Sequence, residues 1–293
     1  MGKNQITQKK GINFYKLTLF TLVLVYFLIL VGGIVRATGA GMGCPDWPKC
    51  FGKWVPPTKE EALPQGYEED LAAQRMEKNA RFADYLSFLG LNKLAREIKN
   101  DPGIKETHQF NAFKTWTEYI NRLIGALVGV FVALCFVAGI SMRKIDPKAP
   151  WIGGAVLVLT GFQGWIGSIV VSTNLLDWMI SVHMILALAI IGLLTYWVNR
   201  NRFLLGMTKN FENIGSNRIN IIWIISFSLL FLQVVLGTQV RDAVDMIRLA
   251  GNIERPYLIE NLGFIFKFHR SFSILILLLH GYLIFMVYQL TGW

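Results

Sequence analysis

Six long apolar stretches divide this chain of 293 residues. They cover residues 17–35, 123–142, 151–171, 178–198, 219–240 and 272–290. The hydrocarbon core of a bilayer is about 30 Å thick, and a helix needs about 20 apolar residues to cross it. We therefore predict an all-α, polytopic membrane protein with six transmembrane helices. The second and sixth helices are expected to begin a turn or two earlier, near Glu118 and Phe266, which carries polar residues into the membrane.

The distribution of lysine and arginine predicts the orientation of these helices. The tail before the first helix is basic and has no acid, and the connections after the second and fourth helices also carry an excess of basic residues. We expect these three regions to be cytoplasmic and the long connection 37–117 to be extracytoplasmic. The first stretch is too long for a cleaved signal peptide and lacks a cleavage site of small residues, so it reads as a permanent span. The absence of a presequence rich in Arg and Ser favours a bacterial plasma membrane over a mitochondrial inner membrane.

Composition supports a membrane protein. Hydrophobic residues make up 53% of the chain, charged residues only 16%, and the mean hydropathy is +0.43. The net charge of +10 follows from the basic cytoplasmic connections. Membrane lipid is the expected environment, and nothing indicates a nucleic-acid partner.

The long extracytoplasmic connection begins with a glycine-rich turn that leads to Cys44 and Cys50, with five residues between them. An oxidising compartment permits a disulfide there. Spacing alone leaves a metal site or a redox-active dithiol open, and we favour a small structural or redox-responsive disulfide. Cys135 lies in the middle of a helix and is expected only to pack.

Later in the same connection, residues 60–99 carry apolar side chains at roughly helical spacing among charges. They are Leu71, Met76, Phe82, Leu86, Leu89, Leu94 and Ile98. This pattern predicts two short amphipathic helices that lie over the outer surface of the membrane.

Several polar residues fall within or beside the apolar stretches, all at the outer face of the predicted topology. They are Arg36, Glu118, Asn121, His183, Arg241, His269 and Arg270. Polar residues in lipid are costly and are functional candidates by default. Two histidines on different helices favour a metal, and heme iron in particular. A carboxylate at the edge of lipid suits proton transfer.

Arginines near these positions are candidate ligands for heme propionates, because guanidinium presents a rigid fork of donors to a carboxylate. They are Arg36, Arg122, Arg241 and Arg270.

The chain also repeats itself. Residues 32–36 and 237–241 both read G-x-x-V-R, and the next helix begins in each half with a polar pair. This predicts two homologous bundles, residues 1–205 with four helices and the connection 37–117, and residues 206–293 with two. The repeat leads us to expect a seventh and an eighth helix, and a counterpart of His183, beyond residue 293. Q-x-x-x-G occurs at 163–167 and at 233–237, which predicts close helix packing with an interhelical hydrogen bond.

Together, these motifs resemble the heme A synthase family of cytochrome oxidase assembly enzymes. The motifs are residues 32–41 (GGIVRATGAG), Cys44, Asp46-Trp47-Pro48, Cys50, residues 117–123 (TEYINRL), His183 and Phe268-His269-Arg270. The resemblance covers essentially the whole chain. It implies an eight-helix fold of two four-helix bundles and oxidation of the C8 methyl of heme O to the formyl of heme A. A heme O synthase and the cytochrome oxidase assembly machinery are the implied partners.

The resemblance also implies roles for single residues. Glu118 matches the functionally required carboxylate of the family. Asn121 stands where many members have a heme-ligating histidine, in a Glu-Tyr-x-His-Arg motif. Because an amide is a poor ligand for heme iron, His183 is expected to be the one strong protein ligand in the first bundle. His269 matches the heme ligand of the second bundle, where a b-type heme that is not the substrate is expected. The implied substrate of the protein is heme O.

Structural readings compete with these roles. A lone membrane histidine often bonds a helix backbone, and Arg36 and Arg241 could extend to lipid headgroups. His280 lies about 16 Å along the helix from His269 and is expected to be structural. His108 is expected to be solvated. The alternative functions are a diheme b-type electron carrier and a non-catalytic heme-handling assembly protein, and a homo-oligomer is compatible with each.

Overall fold

The regular secondary structure of the part of the chain described here is entirely helical. The computed structural model describes residues 3–63, 65–100, 110–173, 175–207, 217–250 and 259–291. The helices are α1 (Lys3–Ala37), a 3-10 turn (Glu60–Ala62), α2 (Tyr67–Phe88), α3 (Asn92–Asn100), α4 (Ala112–Ser141), α5 (Ala149–Ser172), α6 (Asp177–Leu204), α7 (Asn217–Ala250) and α8 (Gly263–Thr291). The predicted all-α class is confirmed.

Six of these helices, α1 and α4 to α8, are long and apolar enough to cross a membrane, which confirms the predicted spans. As expected, the second and sixth spans begin early, α4 at Ala112 and α8 at Gly263. Large apolar side chains such as Val158 and Leu277 are more than 70% exposed on these helices. Because lipid tails are as apolar as these side chains, such faces suit a bilayer and not water.

Short-range signals set several helix ends. The side chain of Asn111 accepts a hydrogen bond of 3.0 Å from the backbone amide of Lys114, which caps the start of α4. A proline occupies the first turn of α5, where its missing N–H costs nothing. Gly90 has φ +80° and ends α2, because glycine adopts the left-handed conformation without strain.

The chain forms two compact units. The first unit comprises Met1–Met179 and Leu186–Leu205, and the second comprises Ile180–Ile185 and Gly206–Trp293. Within the first unit, α4 contacts both α1 and α5, and α2 contacts α3 and α5. Within the second unit, α7 packs against α8.

The core of the first unit joins α1, α4, α5 and the C-terminal half of α6. Its largest fully buried side chain is Trp197. Two glycines make room for this indole, since a Cβ at Gly153 would lie 2.8 Å from Trp197 Cη2 and one at Gly139 would lie 3.2 Å from Cζ2. These small residues allow the helices to approach closely around a large one.

A buried ion pair closes one end of this core. Arg200 donates from Nε and Nη2 to the two oxygens of Asp146, each at 2.7 Å, and the Lys148 amide adds a bond of 3.0 Å. The Asp146 side chain is 1% exposed. Burial alone would raise the pKa of Asp146, but the hydrogen bonds from Arg200 and Lys148 outweigh it and hold the pKa below its usual range.

The predicted pair of helices in residues 60–99 is confirmed as α2 and α3, although α2 is 22 residues long. The buried face of α2 consists of Leu71, Arg75, Asn79, Ala83 and Leu86. Of the apolar residues expected to define this face, Met76 is 44% exposed and Leu89 is 69% exposed. The difference arises because two polar residues belong to the buried face. Asn79 donates from Nδ2 to the Ser172 carbonyl oxygen at 2.7 Å, which fastens α2 to the end of α5.

In the second unit, Gln233 on α7 donates from Nε2 to the carbonyl oxygen of His269 on α8 at 3.0 Å. This is the interhelical hydrogen bond that the Q-x-x-x-G pattern predicted for α7. The hydroxyls of Ser181 and Thr238 are also hydrogen-bonded, at 2.8 Å. This unit thus has two polar contacts between helices, one between residues 233 and 269 and one between residues 181 and 238.

Candidate functional site

A disulfide joins Cys44 and Cys50 in the connection between α1 and α4. Both cysteines are buried and pack with Phe51 and Leu71. We call residues 43–53 the disulfide loop. The end of the first unit at which this loop lies is called the loop end. Backbone hydrogen bonds between Cys50 and Lys53 close the far side of the loop, with N···O distances of 2.9 and 3.2 Å. Of the three alternatives that the spacing left open, the structure contains the disulfide.

Glu118 lies on α4 directly beneath this loop and is only 4% exposed. Its Oε2 accepts a hydrogen bond of 2.8 Å from the backbone amide of Cys44. Its Oε1 is paired with Arg122, one turn further along α4. Both oxygens of the predicted catalytic carboxylate are therefore held by protein donors.

Arg122 connects this carboxylate to the rest of the loop. Its Nη2 also donates to the carbonyl of Cys44 at 2.6 Å, and its Nη1 donates to the carbonyls of Asp46 at 2.5 Å and Lys49 at 3.1 Å. A guanidinium has four N–H groups on its two terminal nitrogens, and these four contacts account for them. A heme propionate could bind here only if it displaced a loop carbonyl.

Further contacts of the disulfide loop were not evident from sequence reasoning. The carboxylate of Asp46 accepts from the amides of Phe51 and Gly52, at 2.6 and 2.9 Å. Thr115 donates from Oγ1 to the Gly43 carbonyl at 2.8 Å. The available signal was the spacing of Thr115, Glu118 and Arg122, which places three polar side chains on one face of α4.

Asn121 lies next to this network. It is half-buried, and its Oδ1 has no hydrogen-bond partner among the residues that the structure describes. That oxygen lies 4.0 Å from the position of a Cβ at Gly32 on α1. Arg36 is half-buried one turn further along α1. The structure thus brings Asn121 and Gly32 together at the loop end.

In the second unit, the ring of His269 lies against Gly237. A Cβ at Gly237 would be 3.1 Å from Cε1 of the imidazole, so the ring occupies the space that a side chain would fill. Within the described residues, the buried Nδ1 of His269 has no hydrogen-bond partner. A half-buried imidazole with such a ring nitrogen is of the residue type that would hold a heme iron. In the described part of the chain, no three His, Cys, Asp or Glu residues converge as metal ligands.

The remaining candidates also belong to the second unit. His183 is half-buried on α6, two residues from Ser181, and Arg241 is half-buried on α7. Arg270 is exposed, with its guanidinium carbon 5.7 Å from the centre of the Phe266 ring. His280 Nδ1 lies 2.8 Å from the Ile276 carbonyl oxygen, a contact inside its own helix that fits the structural role expected for it.

The predicted residues therefore fall into two groups, and the group in the first unit consists of Arg36, Cys44, Cys50, Glu118, Asn121 and Arg122. His108 lies outside the described residues.

The fold and these sites define a multi-pass helical membrane protein with buried polar networks between its helices. The chain belongs to the cytochrome oxidase assembly protein family, whose model matches residues 15–84 and 91–291. No solved structure matches the chain.

Curated relatives are similar over most of this chain. The heme A synthase of Shewanella oneidensis is 23% identical over 219 residues, which cover 74% of this chain and 53% of that protein. The heme A synthase of Ruegeria sp. is 28% identical over 265 residues, 82% of this chain and 61% of that protein. That of Ehrlichia canis is 27% identical over 225 residues, 74% of this chain and 56% of that protein. The chain thus spans about half to three-fifths of the length of these relatives.

Proposed function

We propose that this chain carries the activity of a heme A synthase, an oxidoreductase that converts the C8 methyl of heme O into the formyl of heme A. The observation that carries the proposal is the buried Glu118, joined to a disulfide loop in a chain of this family. The similarity to proteins named heme A synthase supports it. The conversion must add an oxygen atom to the methyl carbon and remove electrons and protons, so the site needs a group that accepts protons.

Glu118 is our candidate for that group. A buried carboxylate that is ionised must be paired, and Arg122 provides the pairing. When a proton arrives on one oxygen, the negative charge that holds Arg122 and the Cys44 amide is lost. We infer that proton uptake at Glu118 loosens its hold on the disulfide loop. Glu118 would then link proton movement to the position of this loop.

We infer heme-binding roles for each unit by itself. In the second unit, His183 would be a protein ligand of the heme O iron. In the first unit, Asn121 is a poor ligand for iron, and its Oδ1, which has no hydrogen-bond partner among the described residues, would accept a hydrogen bond from a heme substituent. Arg36, Arg241 and Arg270 are the candidate partners for propionates. Arg122 is left out because its terminal donors hold the loop.

His269 would hold a b-type heme through its imidazole. Such a group supplies one-electron redox chemistry when it is bound. The protein's contribution is to orient the ring, since Gln233 anchors the His269 backbone and Gly237 gives the imidazole its space.

The cellular setting is part of the proposal. We place the chain in a bacterial plasma membrane with its N-terminus in the cytoplasm and the disulfide loop outside. A heme O synthase would supply the substrate, and the cytochrome oxidase assembly machinery would receive the product. Self-association into a homo-oligomer is compatible with this arrangement.

The test is expression of the chain with a heme O synthase in cells that lack their own heme A synthase. Extracted hemes are separated by chromatography for the wild type, Glu118→Gln and the control Glu97→Gln. Glu97 is exposed on α3, so its variant makes the same chemical change away from the site. We expect heme A from the wild type and the control, and its loss in Glu118→Gln. Heme O and heme B alone from the wild type would contradict the proposed activity.

A second function is a non-catalytic heme-handling assembly protein. The observation in its favour is that both oxygens of Glu118 are engaged by the loop and by Arg122. In that case Glu118 would only hold the disulfide loop. The wild type would bind heme without accumulating heme A, and Glu118→Gln would change the stability of the loop and not the heme composition of the cells.

A further inference from the structure

We propose that the turn between α2 and α3 is embedded in the outer leaflet of the lipid bilayer, beside the end of α5. The proposal concerns the tip formed by Tyr85, Phe88, Leu89 and Leu91. Through this tip, the connection between α1 and α4 would contact lipid, as the six membrane-spanning helices do. It does not depend on the proposed enzymatic activity.

The first observation is exposure of apolar side chains that the rest of the hairpin does not cover. Phe88 is 89% exposed, Leu89 69%, Tyr85 66% and Leu91 45%. They are adjacent, because residues three and four apart share a face of α2. The opposite side of the hairpin is well packed, with Ala83, Leu86, Ala95 and Ile98 buried against Leu176 and Trp178. The exposed tip is thus part of an ordered element with one free apolar end.

The second observation fixes the level of this tip relative to the spans. Asn79 is bonded to the carbonyl of Ser172, the last residue of α5. Phe82 then packs against Trp165, with ring centroids 6.2 Å apart. Trp165 lies seven residues before the end of α5, which is about 10 Å along the helix axis. The second half of α2 therefore runs alongside the membrane-spanning part of α5, and Phe88 and Leu89 of the tip follow Phe82 by less than two turns.

The third observation is a gradient of polarity along the exposed face of α2. Glu77 and Arg81 form an exposed ion pair at 2.5 Å on this face. One turn further is Tyr85, and the next turn presents Phe88 and Leu89. This face of α2 therefore passes from charges to a tyrosine and then to apolar side chains. The order matches that of water, headgroups and hydrocarbon across a membrane surface. A protein partner would not require this order.

The fourth observation is that three backbone amides of the turn have hydrogen-bond partners within the hairpin. The amides of Leu89, Gly90 and Leu91 donate to the carbonyls of Tyr85, Ser87 and Leu86, at 3.1, 3.0 and 2.8 Å. This is a Schellman arrangement with Gly90 in the left-handed conformation. Backbone groups that enter lipid must have partners within the protein, and these three amides have them.

The experiment uses all 293 residues of the chain in phospholipid vesicles, with a nitroxide attached to one introduced cysteine. Cys44 and Cys50 are joined and Cys135 is buried, so the introduced cysteine is the one that reacts. Phe88→Cys and Leu89→Cys report on the tip. Glu77→Cys, on the same face of α2, and Glu97→Cys, on the exposed face of α3, are the matched controls. Collision with oxygen, which concentrates in lipid, is compared with collision with a water-soluble nickel chelate.

We expect the ratio of oxygen to nickel accessibility to be severalfold higher at 88 and 89 than at 77 and 97. Nickel accessibility at 88 equal to that at 77 would overturn the proposal, because the tip would then be in water. Protection of 88 from both reagents would also overturn it, because a protein surface, such as a second copy of the chain, would then cover the tip. Circular dichroism and the mobility of the control labels show whether each variant has folded.

Discussion

The backbone amide of Cys44 donates a hydrogen bond of 2.8 Å to the carboxylate of Glu118, a residue 74 positions later in the chain. Arg122 completes the arrangement. It pairs with Glu118 and also donates a hydrogen bond of 2.6 Å to the carbonyl of Cys44. One carboxylate and one guanidinium on α4 thus hold both backbone polar groups of the first cysteine. The position of the disulfide loop depends on this pair of charges.

Arg122→Ala should release the disulfide loop. The substitution removes three hydrogen bonds to loop carbonyls and leaves Glu118 buried without its cation. Loss of one partner of a buried ion pair costs about 3 kcal/mol. We expect a lower midpoint of thermal unfolding in mild detergent, and faster cleavage by trypsin after Lys49 and Lys53. Arg122→Lys should give a similar result, because a single ammonium cannot reproduce the fork of a guanidinium.

Arg81→Ala is the matched control for this experiment. Arg81 also forms a pair with a glutamate four residues away on a helix, but its side chain is 72% exposed. Exposed pairs of this kind contribute little to stability. Equal effects of the two alanine variants would show that the Arg122 network does not stabilise the loop.

Gly43→Ala should displace the start of the same loop without removing a charge. A Cβ at this position would lie 2.7 Å from the Thr115 backbone nitrogen, in contact with a part of α4 that cannot rotate away. We expect the hydrogen bond from Thr115 to Gly43 to break and trypsin cleavage at Lys49 and Lys53 to accelerate. Gly33→Ala on α1 is the control, since its Cβ would meet nothing within 4 Å. Cleavage of Gly43→Ala at the wild-type rate would contradict the close contact between the loop and α4.

The sequence predicted the spans well and the contacts of the site only in part. Long apolar runs identify α1 and α4 to α8 because lipid imposes one requirement on every residue of a span. The buried face of α2 was missed because Arg75 and Asn79 lie on it, and their burial depends on distant partners such as the Ser172 carbonyl. The contacts of Arg122 with the disulfide loop were not predicted, for a similar reason. Its partners in the loop are backbone carbonyls more than 70 residues away. Every residue has a backbone carbonyl, so the residue types do not show which carbonyls accept a hydrogen bond.

If His269 ligates a heme as proposed, Gly237→Leu should displace this ligand. Even a Cβ at 237 lies 3.1 Å from the imidazole, so a branched side chain would push the ring out of its place against α7. We expect a severalfold lower content of b-type heme in the purified protein, measured from the absorbance of the reduced pyridine complex. Gly237→Ala should have a smaller effect, because a shift of a few tenths of an ångström accommodates a methyl group.

Gly281→Leu is the matched control on α8. A Cβ at Gly281 would have no neighbour within 4 Å, so it adds the same side chain to an open helix face. We expect its heme content to equal that of the wild type. An unchanged heme content in Gly237→Leu would argue against His269 as a ligand.

The pair formed by Asp146 and Arg200 should give the first unit a specific loss of stability in acid. Arg200 and the Lys148 amide hold the pKa of Asp146 below its usual range, whereas the unfolded carboxyl titrates at about 3.9. A group whose pKa is depressed by folding stabilises the protein above its unfolded pKa, and this contribution is lost as the pH falls through its folded pKa. We therefore expect the wild type to lose this stabilisation below about pH 4. Asp146→Asn should be less stable at pH 7, by about 2 kcal/mol, and should lack this part of the pH dependence.

Thermal unfolding between pH 3 and 7, in a detergent that does not titrate, measures this difference between the wild type and Asp146→Asn. Asp84→Asn is the control, because the ion pair of Asp84 with Lys99 is exposed, with side-chain exposures of 70% and 49%, and water screens it. The two unfolding midpoints of wild type and Asp146→Asn should approach each other as the pH falls, while Asp84→Asn should follow the wild type throughout. If the unfolding midpoints of the wild type and Asp146→Asn change with pH in parallel, folding does not stabilise the ionised carboxylate. The bidentate contact with Arg200 would then have no role in stability.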